Sequence, residues 1–135
     1  LKDEAINVFN HGNMVRDFTY VDDITEGIKK VSEDIPKLAS DSKRKQDVSY
    51  SKTAPYKVYN IGNSSPVELM DYISAIEKSL GKDVEKNFMD MQPGDVPRTE
   101  ADVTDLIEKL GYKPDTSVQE VMEAFIKWYR NYDAL

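Results

Sequence analysis

Two short polar islands hold most of the side chains in this chain whose types and spacing could do chemistry. The first is Arg16-Asp17-Phe18-Thr19-Tyr20-Val21-Asp22-Asp23. A guanidinium at the end of an extended segment suits bidentate contact with a phosphate, and it stays charged at any physiological pH. A plainer reading pairs Arg16 with Asp17 at the surface and makes Asp22 or Asp23 a helix cap, since exposed charges are mostly structural or idle. The second island is Met91-Gln92-Pro93-Gly94-Asp95-Val96-Pro97. Its two prolines and one glycine exclude regular structure, so the loop is stiff and shaped. It presents an amide, Gln92, and a carboxylate, Asp95, and both are good partners for the vicinal hydroxyls of a sugar. The plainer reading here is a tight turn in which Asp95 bonds its own backbone.

Other chemistries find little support. The chain has no Cys, which excludes a disulfide scaffold, a thiolate zinc site and a thiol nucleophile. Its single histidine, His11, cannot build a His-rich metal site and reads as a turn residue. The six glycines, Gly12, Gly27, Gly62, Gly81, Gly94 and Gly111, are too far apart for a phosphate-cradling loop. None of the eight tyrosines is followed four residues later by lysine, so the Tyr-x-x-x-Lys pair for proton transfer is absent. Asn63-Ser64-Ser65 matches a glycosylation acceptor by chance. With 25 acidic and 18 basic residues, the net charge of −7 leaves no concentrated basic face for nucleic acid. No apolar run approaches the ~20 residues that span a bilayer. The start, Leu1-Lys2-Asp3-Glu4, has no signal-peptide character and no Met, so the chain reads as a piece of a longer, cytoplasmic protein.

The elements that must position these islands follow from periodicity. Ile6-Asn7-Val8-Phe9 alternates as a half-buried strand, Asn10 to Asn13 is a turn, and Met14 to Val21 returns extended. A helix capped by Asp22 or Asp23 follows, with Ile24, Ile28 and Val31 on one face, and Pro36 ends it. Residues 37–55 are Ser-, Lys- and Asp-rich and read as a flexible insertion. Lys43-Arg44-Lys45 there is flanked by Asp41 and Asp47, as in a solvated loop. Tyr56 to Ile61 is a strand closed by Gly62. Ser65-Pro66-Val67-Glu68 is a capping box with proline at the first helical position. Leu69, Met70, Ile73, Ile76 and Leu80 then share a face, and Gly81 is the C-terminal cap. Val84 to Met91 is a short strand with Phe88 inward. Asp102 caps a helix carrying Val103, Leu106, Ile107 and Leu110, which Gly111 stops. The last helix starts at a Thr116–Gln119 capping box, and its stripe of Val118, Val121, Met122, Phe125, Trp128, Tyr129 and Tyr132 reads as core. The result is mixed α/β, a small mixed sheet with about four helices.

Taken together and in this order, the islands resemble the C-terminal, substrate-binding portion of NAD-dependent nucleotide-sugar epimerases. These belong to the extended short-chain dehydrogenase superfamily, whose larger domain is of Rossmann type. The resemblance covers nearly the whole chain outside the insertion. It runs through Ile6-Asn7-Val8-Phe9, Gly12 to Ile24, Val58-Tyr59-Asn60-Ile61-Gly62-Asn63, Met91 to Pro97 with Thr99, Ala101 and Asp102, and Trp128-Tyr129. Arg-Asp-Phe-Thr-Tyr-Val-Asp-Asp combined with Met-Gln-Pro-Gly-Asp-Val-Pro looks most like UDP-glucuronate 4-epimerases, often tied to capsular polysaccharide synthesis.

The resemblance implies that Asn7, Val8 and Phe9 meet the uracil and that Arg16, flanked by Asp17 and Phe18, binds the UDP diphosphate. It implies that the loop from Gln92 to Asp95 closes over the nucleotide, with Asp95 at the ribose hydroxyls. UDP-galactose epimerases have Arg in place of Gln92 and Tyr in place of Phe18, so this chain lacks one diphosphate cation and one hydroxyl. NAD and the catalytic Tyr–Lys pair belong to the N-terminal domain, to which the helix near Asp23 and the strand Lys57–Ile61 would return. No catalytic, cofactor-binding or metal residue is expected in residues 1–135. The parent is expected to be a homodimer, and the isolated piece to be inactive and to expose apolar surface through which it self-associates. Sibling activities under the same resemblance are UDP-glucuronate decarboxylase, UDP-galactose 4-epimerase and dTDP-glucose dehydratase. An inert, merely associating domain is the non-enzymatic alternative.

Overall fold

The computed structural model describes residues 4–36 and 53–132. The expected insertion, apart from residues 53–55, lies outside the described residues, and the Lys43-Arg44-Lys45 cluster lies outside them with it. In chain order the elements are β1 (Ile6–Val8), a tight turn (Phe9–Gly12), β2 (Val15–Arg16), α1 (Val21–Glu33), β3 (Val67–Glu68), α2 (Leu69–Leu80), β4 (Lys86–Phe88), α3 (Thr104–Leu110) and α4 (Val118–Tyr132). Among the described residues four helices and two small sheets make the mixed α/β fold that the periodicity predicts. The described residues form two compact units, 4–18, 65–100 and 116–132 in one and 19–36, 53–64 and 101–115 in the other. No helix among them is long and apolar enough to cross a membrane.

In the first unit β1 runs parallel to β4, with Ile6, Asn7 and Val8 opposite Lys86, Asn87 and Phe88. The tight turn after β1 holds Asn10, His11 and Gly12 at φ of 50°, 51° and 85°. Gly12 is needed there twice over. Its φ suits glycine, and a Cβ would lie 2.8 Å from Met70 Sδ. The chain returns as β2, antiparallel to β3, with Val15 opposite Glu68 and Arg16 opposite Val67.

That pairing corrects the expected start of α2. Val67 and Glu68 are strand, not the first helical turn, and no side chain caps the helix at Leu69. The Leu69 N–H donates instead to Met14 O at 2.8 Å, so a non-local backbone acceptor replaces the local cap. Ile73 and Ala75 of α2 pack with Met122 and Ile126 of α4 and with Val8 and Met14 as the buried core of this unit. Gly81 closes α2 in the left-handed conformation, as expected.

Three further expectations need correction here. Phe88 is 52% exposed, on a strand that pairs among the described residues with β1 alone. The reciprocal cap of α4 is Ser117 with Glu120, one residue later than Thr116 with Gln119. Ser117 N donates to Glu120 Oε2 at 2.9 Å, and Glu120 N donates to Ser117 Oγ at 3.3 Å. The stripe on α4 is only partly core. Phe125, Trp128 and Tyr132 are exposed, with Trp128 stacked on Tyr132 at a centroid distance of 5.2 Å and tilted against Phe125 at 5.8 Å.

In the second unit α1 starts at Val21 without a side-chain cap, and Asp22 and Asp23 sit in its first turn, where carboxylates suit the helix dipole. The face that packs is centred on Gly27, where a Cβ would lie 2.9 Å from Ile61 Cγ2. Ile24 and Val31 flank that contact, whereas Ile28 points away and is exposed, contrary to expectation. Tyr56 to Ile61 does not form a strand, and only Lys57 makes a bridge. The Lys57 side chain is buried against Asp105, whose other oxygen meets Lys109 Nζ at 3.0 Å. Val103 and Leu106 are buried, and Asp102 Oδ1 accepts the Thr104 N–H at 3.0 Å just ahead of α3.

Candidate functional site

All eight residues read from the sequence as candidates for binding lie in the first unit. Asn7 is exposed on β1, Val8 beside it is buried, and Phe9 opens the tight turn half-buried. The Val8 side chain is thus committed to the core, and only backbone and neighbours are left to face a ligand. Arg16 ends β2, and Asp17 and Phe18 continue from it.

The loop carrying Gln92 and Asp95 is sewn down at both ends. At its start Met89 N donates to Val8 O at 2.9 Å and His11 N donates to Met89 O at 3.0 Å. His11 Nε2 also lies 2.9 Å from Asp90 Oδ1. At its end Val15 N donates to Pro97 O at 2.8 Å and Thr99 N donates to Val15 O at 3.1 Å. The loop is therefore a strap, fixed to β1 and its turn on one side and to β2 on the other. That is how the two polar islands come together.

Their meeting point is Arg16. Its Nη1 donates to Val15 O at 2.9 Å and its Nη2 donates to Asp95 Oδ1 at 3.0 Å. These two bonds engage one N–H on each terminal nitrogen and hold the planar fork against the strap. The same Asp95 oxygen accepts the Val96 N–H at 2.8 Å, and Asp95 N donates to Gln92 O at 3.2 Å. The turn reading of Asp95 and its reach toward Arg16 are both realised. Asp17 Oδ1 accepts the Ser65 N–H at 3.4 Å. Gln92 is exposed on the strap.

One member of this neighbourhood escaped the sequence. The rings of Phe18 and Tyr72 stack with centroids 3.9 Å apart. Burial pushes the Tyr72 phenol above its ordinary pKa, so it stays neutral under physiological conditions. The only hint in the sequence is that Tyr72 adjoins Ile73 on the apolar helix α2.

The model of the family described as GDP-mannose 4,6 dehydratase matches residues 2–125. The chain belongs to that family. Among the members it resembles, Protein CapI of Staphylococcus aureus is 51% identical over 135 residues, which cover 98% of this chain and 40% of that protein. A probable UDP-glucuronate 4-epimerase of Rhizobium meliloti is 42% identical over 130 residues, covering 94% of this chain and 38% of that protein. The fold matches the crystal structure of UDP-glucuronic acid 4-epimerase from Bacillus cereus in complex with UDP-glucuronic acid and NAD. The TM-score is 0.75 at 28% identity, over 97% of this chain and 37% of that one. This member of the GDP-mannose 4,6 dehydratase family thus spans about 40% of the length of such relatives.

NAD is the cofactor in that neighbour. The described residues of this chain do not fit it. A dinucleotide loop needs clustered glycines between a strand and a helix. The one glycine that follows a strand here, Gly12, lies in a turn whose open side is filled by Met70.

Proposed function

We propose that this chain is the C-terminal, UDP-sugar-gripping part of a UDP-glucuronate 4-epimerase, which interconverts UDP-glucuronate and UDP-galacturonate through a 4-keto intermediate. The observation that carries the reading is the junction of Arg16 with the strap: a fixed cation bonded to a carboxylate, on a loop that also carries the amide Gln92 and is tied to β1 and β2. A cation suits a diphosphate, and a carboxylate suits vicinal hydroxyls of a ribose. Similarity to proteins named as UDP-glucuronate 4-epimerases supports the choice of sugar nucleotide.

In this reading Arg16 holds the diphosphate through its planar fork. Asp95 accepts hydrogen bonds from the ribose hydroxyls, and the backbone around Asn7 to Phe9 meets the uracil. Gln92 offers a neutral amide near the phosphates, and Asp17 and Phe18 set the end of β2. Oxidation at sugar C4 and its reversal from the opposite face belong to the N-terminal domain of the parent, which binds NAD and carries the Tyr–Lys pair. This chain supplies affinity and placement, works in the cytoplasm, and is inactive alone.

Titration of UDP into the chain by calorimetry tests the grip. Arg16→Ala should weaken binding by about 1.5–3 kcal/mol, typical of a hydrogen bond to a charged group. Unchanged affinity would remove Arg16 from the diphosphate. Product analysis of the full-length parent with UDP-glucuronate tests the reaction, where UDP-galacturonate is expected and a UDP-pentose would show a decarboxylase instead.

A further inference from the structure

The carboxylate that meets the Arg16 cation comes from the strap itself. Asp95 Oδ1 sits 3.0 Å from Nη2, with the Arg16 side chain half-buried at 24% exposure and the Asp95 side chain more open at 37%. A carboxylate in this place occupies the side of the fork that a phosphate oxygen would need. The hydroxyl-binding group and the phosphate-binding group of the proposed site therefore neutralise each other before any ligand arrives.

We propose that Asp95 is a selectivity residue that makes the site reject bare phosphates and accept only ligands that carry a diphosphate together with hydroxyls. The inference rests on the UDP-sugar reading and deepens it. A bare anion must displace Asp95 from Arg16 and leaves that carboxylate, among the described residues, with only the Val96 N–H at 2.8 Å. A nucleoside diphosphate displaces it too, but its ribose gives the released carboxylate new donors. The exchange then balances, one charge-assisted partner for another on each side. Because Met89 and Pro97 stay bonded to Val8 and Val15, the strap can let go of Arg16 at its middle without leaving the body.

The test is calorimetric titration of inorganic pyrophosphate and of UDP into the 135-residue chain, for wild type, Asp95→Asn, Asp90→Asn, Arg16→Ala and Arg16→Ala/Asp95→Asn. Asp95→Asn should bind pyrophosphate about two- to fivefold more tightly than wild type, the range of a part-exposed ion pair. The same change should lower UDP affinity, because the ribose hydroxyls lose a charged acceptor, so the preference for UDP over pyrophosphate shrinks. Asp90→Asn removes the same charge from the same strap but no contact with Arg16, and should give less than half that gain. The gain should vanish in the double variant. Equal pyrophosphate binding by wild type and Asp95→Asn, or an equal gain from Asp90→Asn, overturns the selector while leaving UDP binding by Arg16 intact. If Arg16→Ala leaves UDP affinity unchanged, the UDP-sugar reading fails, and the ratio for pyrophosphate still decides whether Asp95 masks Arg16.

Discussion

Phe18 and Tyr72 lie face to face, with ring centroids 3.9 Å apart and planes 14° from parallel. The stack joins the start of the first polar island to α2, and α2 is held by the core residues Ile73 and Ala75. Tyr72 therefore acts as a positioning residue for the segment that begins at Arg16. Tyr72→Ala should lower stability by about 2–3 kcal/mol, combining lost apolar burial with a stacking contribution of ~1 kcal/mol. It should also weaken UDP binding, whereas Tyr72→Phe keeps the stack and restores both. Urea unfolding and calorimetry read the two effects. Failure of Tyr72→Phe to rescue would show that the hydroxyl, not the ring, matters.

The phenol of Tyr72 also carries a pH prediction. Burial raises its folded pKa, so between the unfolded value of ~10 and the folded value the unfolded chain binds fewer protons than the native one. Stability should be fully present below pH ~10 and fall as pH rises beyond it. Tyr112, raised chiefly by burial, acts in the same direction. Carboxylates act at the other end of the scale. The Lys86 ammonium and then the Val84 N–H hold Glu77 low, Thr104 holds Asp102 low, Lys57 holds Asp105 low and Ser117 holds Glu120 low. Unfolded carboxylates bind protons first as pH falls, so stability should drop from pH ~5 downward through the depressed folded values. Glu77→Gln should flatten that slope in urea titrations between pH 6 and 3, and an unaltered slope would sink the assignment to Glu77.

Gly12→Ala should destabilise by about 1–3 kcal/mol, from a left-handed backbone and an overfilled site. The φ is 85°, and the new methyl would meet Met70 Sδ at 2.8 Å and Cγ at 3.0 Å. Because Gly12 closes the turn between β1 and β2, the same variant should weaken UDP binding more than its stability loss alone explains. A Gly12→Ala/Met70→Ala pair opens the space but not the backbone conformation, and should recover only part of the loss. Full recovery would mean that the left-handed conformation costs nothing.

Ser117→Ala should cost about 1 kcal/mol, the usual price of a lost N-cap, since Ser117 and Glu120 bond each other's backbone. Thermal unfolding of this variant also locates the start of α4. The spacing places a capping box at Thr116 with Gln119, whereas the structure closes it one residue later, at Ser117 with Glu120. Gln119 instead reaches Ser79 Oγ at 3.3 Å and Glu123 Oε1 at 2.7 Å, so tertiary contact takes it away from the cap.

The same contrast runs through the whole molecule. Features set by nearest neighbours were legible: the apolar stripe of α2, the left-handed Gly81, and the turn at Asn10 to Gly12. Features set by distant chain were not. Val67 and Glu68 have good helix-start chemistry but pair with β2, and Tyr56 to Ile61 has strand chemistry but no strand forms across it. Ile28 has the period of a buried face, yet the close approach at Gly27 turns it outward. In the site, residue types pointed to Arg16, Gln92 and Asp95, but no local rule predicts that Arg16 meets a carboxylate 79 positions away.

Arg16→Lys separates charge from geometry at that contact. Lysine keeps the positive charge but has no planar fork, and it cannot bond Val15 O and Asp95 in the arrangement that Nη1 and Nη2 provide. If Arg16 grips a diphosphate through two parallel bonds, Arg16→Lys should lose about 1 kcal/mol of UDP affinity, roughly half of what Arg16→Ala loses. The loss should persist in high salt, because geometry is not screened, whereas the residual affinity of Arg16→Lys should fall with salt as a point charge does. Calorimetry at two ionic strengths measures both. Arg16→Lys binding as tightly as wild type would reduce Arg16 to a source of field, and the strap would then owe its position to backbone bonds alone.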